Sequence, residues 1–179
     1  MTLKYNKNVR HLILDSNIIQ YLMNPLLAEG ILTCLKEAMG ANYPLAISDF
    51  TFFELLNGVT PKKEAQMITE LNYLVRIHVR KEILVGSAHL GCMYQDDKMD
   101  LKQIDTGDLI IAASSIITNS LIFTANIRDF PVPFFNIIAK RPINYSKKTS
   151  IPALLMTAFL EPDLEFIGKT HKNRIGSVN

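Results

Sequence analysis

The 179-residue sequence has few of the features that mark secreted, disulfide-bonded or membrane proteins. Its two cysteines, Cys34 and Cys92, are too few for a disulfide framework and lie in no metal-binding spacing. No run of about 18 uncharged apolar residues occurs. The N-terminal segment meets charged residues before any long apolar stretch, unlike a secretory signal. We therefore expect a protein of the reducing cytoplasm that has no membrane partner.

The sequence also lacks the short motifs of several large enzyme classes. It contains neither a glycine-rich phosphate-binding loop nor a G-x-S-x-G nucleophile elbow. The four histidines are scattered and show no metal-ligand spacing: His11, His78, His89 and His171. Carboxylates are therefore the strongest candidates for catalytic side chains.

Charge is distributed unevenly along the chain. Hydrophobic residues make up 48% and charged residues 20%, which is ordinary for a globular domain. The net charge of +2 combines −2 over residues 1–139 with +4 over residues 140–179. A basic tail suits a nucleic-acid or other acidic partner, and it equally suits a solvated surface. We predict one domain over residues 1–145 and a basic extension, partly helical or frayed, over residues 146–179.

Short apolar runs alternate with helical patterns along most of the chain. The runs predict five strands, at residues 11–14, 45–47, 75–79, 121–124 and 136–138. The segments between them predict helices, including residues 62–74, 81–99 and a buried helix over 109–118. This alternation is typical of parallel β-α-β units and predicts an α/β sandwich. In the extension we predict a helix over Pro152–Leu160 and a polar, frayed end after Lys169.

Four carboxylates follow predicted strands or begin predicted helices. Asp15 comes directly after the first strand, and Glu54 lies one turn inside the helix after the second. Asp108 is in the first turn of the buried helix, and Asp129 lies five residues after the fourth strand. Ligands of open α/β sheets bind outside the carboxyl ends of the strands. We therefore expect Asp15, Glu54 and Asp129 at that edge, joined by Asp108 if its helix also begins there.

Converging carboxylates predict a metal site. They repel one another and remain ionised together only when a cation compensates them. Oxygen ligands select hard cations, here Mg²⁺ or Mn²⁺, over zinc. Such ions activate water and stabilise a displaced phosphate oxygen, so the set points to phosphodiester hydrolysis.

Each of these residues also has a purely structural interpretation. Asp15 would serve as a helix cap, Glu54 as a solvent-facing helix residue, and Asp129 as a turn residue. Asp105 and Asp108 are spaced like the two members of a capping box. The metal site is favoured by the set of residues rather than by any one of them.

Three segments make the chain resemble the PIN-domain nucleases, most closely the VapC-like toxins of bacterial toxin–antitoxin pairs. They are LILDSNIIQYL (12–22), ISDFTFFELLNG (47–58) and DLIIAASSIITNSLIFTANIRDF (108–130), in that order. The first resembles the strand that ends in Asp followed by Ser/Thr-Asn. The third, the most specific, resembles the family's Asp, Ile-Ala-Ala, apolar strand, and Thr-x-Asn-x-x-Asp-Phe. The tail after about residue 145 matches nothing in this pattern.

The resemblance implies a three-layer α/β/α sandwich with a short central parallel sheet, and Mg²⁺- or Mn²⁺-dependent endoribonuclease activity. It implies four metal-binding, catalytic carboxylates: Asp15, Glu54, Asp108 and Asp129. It implies supporting polar residues that orient ligands or water: Asn17, Thr124 and Asn126. Asp105 has no firm counterpart and is a cap or an outer-shell candidate. An RNA substrate, a homodimer and a cognate antitoxin complete the expectations.

Two other functions compete with this interpretation. A phosphatase would use Asp15 as its nucleophile, but haloacid-dehalogenase-like enzymes place a second Asp two residues later, where this chain has Asn17. A catalytically silent PIN-like module would bind RNA or protein without cleaving it. The presence of all four carboxylates argues against such a module.

Overall fold

The computed structural model describes residues 11–57, 59–96, 104–146 and 152–176. Its strands are β1 (Leu12–Leu14), β2 (Leu45–Ser48), β3 (Val75–Ile77), β4 (Leu121–Thr124), β5 (Phe135–Ser146) and β6 (Pro152–Pro162). Its helices are α1 (Ser16–Leu22), α2 (Ala28–Gly40), α3 (Asp49–Leu56), α4 (Pro61–Leu71), α5 (Lys81–Asp96), α6 (Thr106–Thr118) and α7 (Leu164–Gly176). Residues 97–99 of the helix predicted over 81–99 lie outside the described residues, as do both ends of the chain.

The strands form one sheet in the order β3-β2-β1-β4-β6-β5. The first four are parallel to one another, whereas β6 runs antiparallel to β4 and β5. Every residue of β1 and β4 is buried, because helices cover both faces of the sheet. This explains why both strands appear in the sequence as uninterrupted apolar runs.

Alternate side chains of the strands enter two separate cores. Leu12, Leu14, Phe123 and Phe159 pack with α1, α2 and α4 on one face. The opposite core contains residues of α5, α6 and α7 together with strand residues that include Ile13, Ile122, Ala158 and Leu160. The result is a three-layer arrangement of helices, sheet and helices. Among the described helices, none has both the length and the apolar character needed to cross a bilayer.

Local sequence signals explain where several helices begin and end. The Ser48 hydroxyl caps α3 by accepting a hydrogen bond from the Thr51 backbone N–H at 3.0 Å. Pro61 begins α4, where its missing N–H is not needed. Helix α6 ends at Asn119, whose φ of 48° is left-handed. These short-range signals place the helix boundaries close to those expected from the sequence.

The helix predicted over Pro152–Leu160 is wrong, because this segment forms strand β6. Residues 158–160 pair with β4. The whole strand pairs with β5, from Pro162 opposite Phe135 to Pro152 opposite Ser146. Exposure alternates along residues 152–156, which is the two-residue period of a strand. A long-range pairing therefore overrides the local pattern, and the extension contributes a strand to the interior of the sheet.

The polar segment after Lys169, predicted to fray, instead forms the last turns of α7. Ile167 is buried in the core beneath the helix. His171 Nε2 lies 3.1 Å from His89 Nδ1 of α5. Arg174 Nε lies 3.4 Å from an Asp96 carboxylate oxygen, also on α5. These contacts hold a helix that is polar over most of its surface.

The part of the β5–β6 hairpin that extends beyond β4 lies against α2. The close approach requires glycine at position 30, since a Cβ there would collide with the Ile143 side chain. Arg141 Nε and Nη2 donate to the two carboxylate oxygens of Glu37 at 2.9 and 2.5 Å. Both side chains are largely buried, with exposed fractions of 20% and 24%. The bidentate pair therefore anchors the hairpin to α2.

The substitution Arg141→Lys should lower the free energy of unfolding by about 1–2 kcal/mol, because an ammonium group cannot form both hydrogen bonds of the fork. The matched control is Glu165→Gln, which breaks the solvent-exposed ion pair with Lys169 on α7. This control should change the same free energy by less than about 0.5 kcal/mol. Urea denaturation measures both values. Equal effects of the two substitutions would show that the hairpin pair is no stronger than a surface ion pair.

Candidate functional site

The elements that carry the candidate residues converge at the carboxyl ends of the parallel strands. Asp15 follows β1 directly and is the N-cap residue of α1. A short 3₁₀ helix, Ile127–Asp129, follows β4. Helices α3 and α6 meet close by, since Gly107 lies so close to the Phe50 ring that a Cβ at position 107 would collide with it. The first turn of α6 therefore reaches the same edge of the sheet, as the sequence argument required for Asp108.

Asp15 is the most buried carboxylate of the group, with 2% of its surface exposed. One of its oxygens, Oδ2, accepts hydrogen bonds from the Thr124 hydroxyl and from Asn17 Nδ2, both at 2.6 Å. The other, Oδ1, lies 3.5 Å from the Ser16 hydroxyl. Burial raises the pKa of Asp15, while these hydrogen bonds act in the opposite direction. The carboxylate is thus held in one orientation inside the protein.

The polar residues predicted to support the site are bonded to each other across β1 and β4. Asn17 Oδ1 accepts from the Ala125 backbone N–H at 3.1 Å. Thr124 Oγ1 accepts from the Asn126 backbone N–H at 2.8 Å. Asn126 itself is exposed, and its side chain forms a hydrogen bond that lowers the pKa of Asp129. The structure therefore brings Asn17 and Thr124 directly to Asp15, and Asn126 to Asp129.

Glu54 and Asp129 approach the same region from different elements. Glu54 is half-buried on α3, and burial raises its pKa, assisted by the negative charges of Asp15 and Asp105. Asp129, at the end of the 3₁₀ helix, is 5% exposed. Burial raises its pKa as well, with the charges of Asp15 and Asp105 adding to the effect and the neighbouring Arg128 opposing it. Glu54 and Asp129 are therefore both influenced by the negative charges of Asp15 and Asp105.

Asp105 and Asp108 form the capping box that their spacing indicates. The Asp108 N–H donates to the Asp105 carboxylate at 3.0 Å, and the Asp105 N–H donates to Asp108 Oδ2 at 3.4 Å. Burial, followed by the charges of Asp129, Asp105 and Asp15, raises the pKa of Asp108 to about 8. Asp108 therefore combines a structural role with a position inside the negative cluster.

Two neighbours of the carboxylates contribute more than the sequence indicates: Ser16, which was not assigned to the site, and Asp105, which was a cap or outer-shell candidate. Ser16 forms a hydrogen bond that lowers the pKa of Glu54, in addition to its contact with Asp15. The sequence signal for Ser16 is its place directly after Asp15. Asp105 acts electrostatically on Glu54, Asp108 and Asp129. It contributes more to the cluster than its capping role indicates.

The carboxylates fit a hard cation by their chemistry. They supply only oxygen, and burial raises the pKa of each, with neighbouring negative charges adding to the shift for Glu54, Asp108 and Asp129. Within the described ranges, however, no three His, Cys, Asp or Glu side chains lie close enough together to hold one metal ion. Coordination by three of these carboxylates would therefore require them to move closer together than they are here.

Comparisons with known proteins identify similar structures but no family model or curated protein that matches. VapBC2 from Rickettsia felis, bound to a promoter DNA fragment, is 26% identical with a TM-score of 0.54. A toxin–antitoxin complex from Klebsiella pneumoniae is 24% identical with a TM-score of 0.52. VapBC-1 from nontypeable Haemophilus influenzae is 23% identical with a TM-score of 0.55.

These matches confirm the predicted fold class. The chain has a mixed α/β fold whose six-stranded sheet is flanked by helices, similar to the VapC-type chains of such complexes. The match covers 66%, 68% and 66% of this chain and 90%, 92% and 89% of the respective structures. About a third of this chain therefore lies outside the shared fold.

The substitution Asp108→Asn should stabilise the protein against heat at alkaline pH when a chelator is present. Asn keeps an oxygen for the capping box but removes the charge. Since folding raises the pKa of Asp108 from 3.8 to about 8, the folded state is favoured at low pH. That advantage is lost as the pH rises towards 8. Thermal unfolding should therefore show the variant melting about 2–4 °C above the unsubstituted protein near pH 9, and a smaller difference near pH 5.

Asp163→Asn is the matched control for this measurement. Asp163 accepts the Phe166 N–H at the start of α7, and this bond lowers the pKa of its carboxyl group. Its charge therefore does not change between about pH 5 and about pH 9, and the control should melt in parallel with the unsubstituted protein. Parallel curves for Asp108→Asn as well would contradict the proposed charge repulsion.

Proposed function

We propose that this protein is a metal-dependent endoribonuclease of the PIN type and the toxin of a toxin–antitoxin pair. One observation carries the proposal: a buried carboxylate, Asp15, is held by Thr124 and Asn17 at the carboxyl edge of the sheet, amid further carboxylates. The structural likeness to VapBC complexes and the three sequence segments support it. The alternative of a phosphatase is disfavoured, because Asn17 is bonded to Asp15 and the Ala125 backbone and supplies no second acid.

The residues of the chain would divide the work of hydrolysis among them. Asp15, Glu54, Asp108 and Asp129 would hold Mg²⁺ or Mn²⁺, and such an ion supplies water activation and stabilises the leaving oxygen. Thr124 and Asn17 keep Asp15 Oδ2 in one orientation, and Oδ1 lies 3.5 Å from the Ser16 hydroxyl. The exposed Arg128, adjacent to Asp129, would contact an RNA phosphate.

Replacing any proposed ligand should abolish RNA cleavage while leaving the fold intact. The variants are Asp15→Asn, Glu54→Gln, Asp108→Asn and Asp129→Asn. Each removes one charged ligand, so the rate of cleavage of total cellular RNA with Mg²⁺ or Mn²⁺ should fall by about 100-fold or more. Asp163→Asn, at the opposite edge of the sheet, should cleave at the normal rate. Circular dichroism checks folding.

Two results would overturn the nuclease proposal. Full activity in Asp15→Asn or Asp108→Asn would show that these carboxylates are not ligands. RNA binding that persists in a chelator, with no cleavage at any metal concentration, would favour the catalytically silent binding module instead. An adventitious nuclease would be revealed by equal cleavage in all variants.

We further propose that an antitoxin covers an apolar groove between α1, α2 and α4. The similar structures include complexes of a toxin with its antitoxin. The groove has a volume of about 730 Å³. Its exposed apolar side chains are Met23, Leu32 and Met39, and the charged Lys36 and Glu70 also line it. An amphipathic helix matches this combination.

The homodimer implied by the resemblance is a separate proposal, tested by light scattering.

The substitution Leu32→Glu should weaken antitoxin binding by at least about 10-fold, because it places a charge in the apolar groove. The partner to test is the product of the neighbouring reading frame, co-expressed and measured by its suppression of RNA cleavage. Leu84→Glu is the control, since Leu84 is similarly exposed but lies on α5, across the sheet. Suppression of Leu32→Glu as complete as that of the control would place the antitoxin elsewhere.

A further inference from the structure

Tyr94 is a fully buried residue whose hydroxyl has no hydrogen-bond partner among the described residues. It lies in the last turn of α5 with 0% of its surface exposed. Its ring packs edge-on against Phe134, with the centroids 4.6 Å apart. The Oη atom is nevertheless unpaired within the described part of the chain. Phenylalanine would pack equally well at this position. A buried hydroxyl without a hydrogen-bond partner therefore needs a functional explanation.

The packing of α5 on α6 brings the end of α5 that carries Tyr94 towards the start of α6. A Cβ on Gly86 would lie 3.2 Å from Ile117, and one on Gly91 would lie 3.3 Å from Leu109, so the two helices run antiparallel. One helical turn beyond Gly91, α5 reaches the first turn of α6, where Asp108 lies. Consistent with this placement, burial and the negative charge of Asp108 raise the pKa of Tyr94. The phenol therefore stays neutral and can act as a hydrogen-bond donor.

We propose that Tyr94 is a positioning residue that donates a hydrogen bond from its hydroxyl to the Asp108 carboxylate when the carboxylate cluster holds a divalent cation. This inference rests on the proposed metal-dependent function. It adds to the site a residue that lies outside the three sequence segments resembling PIN-domain nucleases. Asp108 Oδ2 already accepts the Asp105 N–H at 3.4 Å in the capping box, which restrains one oxygen only weakly. A second donor on the core side would define the orientation of the carboxylate towards a cation.

Complete burial separates this role from contact with RNA. With none of its surface exposed, Tyr94 cannot touch a phosphodiester, so its effect on cleavage is indirect. A purely structural role would instead appear as a loss of stability. The hydroxyl and the ring can be separated experimentally, because phenylalanine keeps the packing against Phe134 and removes only the oxygen.

The test is Mn²⁺ binding by the Tyr94→Phe variant, with the binding measured by electron paramagnetic resonance in the absence of RNA. The Kd for Mn²⁺ should rise by about 10-fold or more, as for other residues that orient a ligand. The melting temperature in chelator should be unchanged or higher, because an unpaired buried hydroxyl has been removed. In the nuclease assay at limiting Mn²⁺, kcat should fall while the KM for RNA stays constant.

Tyr43→Phe is the matched control. Tyr43 is also buried, with 2% exposed, but it precedes β2 at the opposite edge of the sheet. Removal of the Tyr43 hydroxyl should leave the Kd for Mn²⁺ unchanged. The double variant Tyr94→Phe with Asp108→Asn should bind Mn²⁺ no more weakly than Asp108→Asn alone, since both changes act on one interaction.

The outcomes separate this inference from the proposed function. If the unsubstituted protein binds Mn²⁺ but cleaves no RNA, the nuclease proposal fails, and Tyr94 is still judged by the Kd. An unchanged Kd in Tyr94→Phe would overturn the positioning role even in an active nuclease. The same conclusion follows if the unsubstituted protein binds no Mn²⁺, or if Tyr94→Phe unfolds at a lower temperature with its Kd unaltered.

Discussion

The hydrogen bonds from Thr124 and Asn17 to the buried Asp15 carboxylate hold together the edge of the sheet on which the candidate site is built. They join the end of β1 to the end of β4, strands that come together although about a hundred residues separate them in the chain. A buried carboxylate is tolerated only when such donors compensate for lost hydration. The same bonds orient Asp15, so one arrangement serves both the fold and the proposed chemistry.

Around this interaction the protein accepts an electrostatic cost. Glu54, Asp108 and Asp129 are brought towards Asp15 by three different elements, and burial raises the pKa of each one. Neighbouring charges add to this effect. The two hydrophobic cores on either side of the sheet stabilise the fold and so offset this repulsion. Concentrating negative charge at one edge is consistent with a site that is completed by a cation.

The core of the fold could be predicted because its signals are local. The fully apolar runs of β1 and β4, the cap at Ser48 and the capping box at Asp105 each depend on residues a few positions apart. The hairpin could not be predicted in this way. Residues 152–160 contain an apolar run that suits a helix or a strand, and only pairing with β4 and β5 decides between them.

By itself, the sequence determined the order of strands and helices as far as β4 and the identity of the carboxylates that follow them, because periodicity and capping are short-range properties. Tertiary structure alone decided that α6 begins at the same edge as Asp15, which joins Asp108 to the other carboxylates. It also decided that the Tyr94 hydroxyl is buried and unpaired among the described residues, and that Arg141 binds Glu37. These contacts link distant parts of the chain, so they exist only once the helices have packed on the sheet.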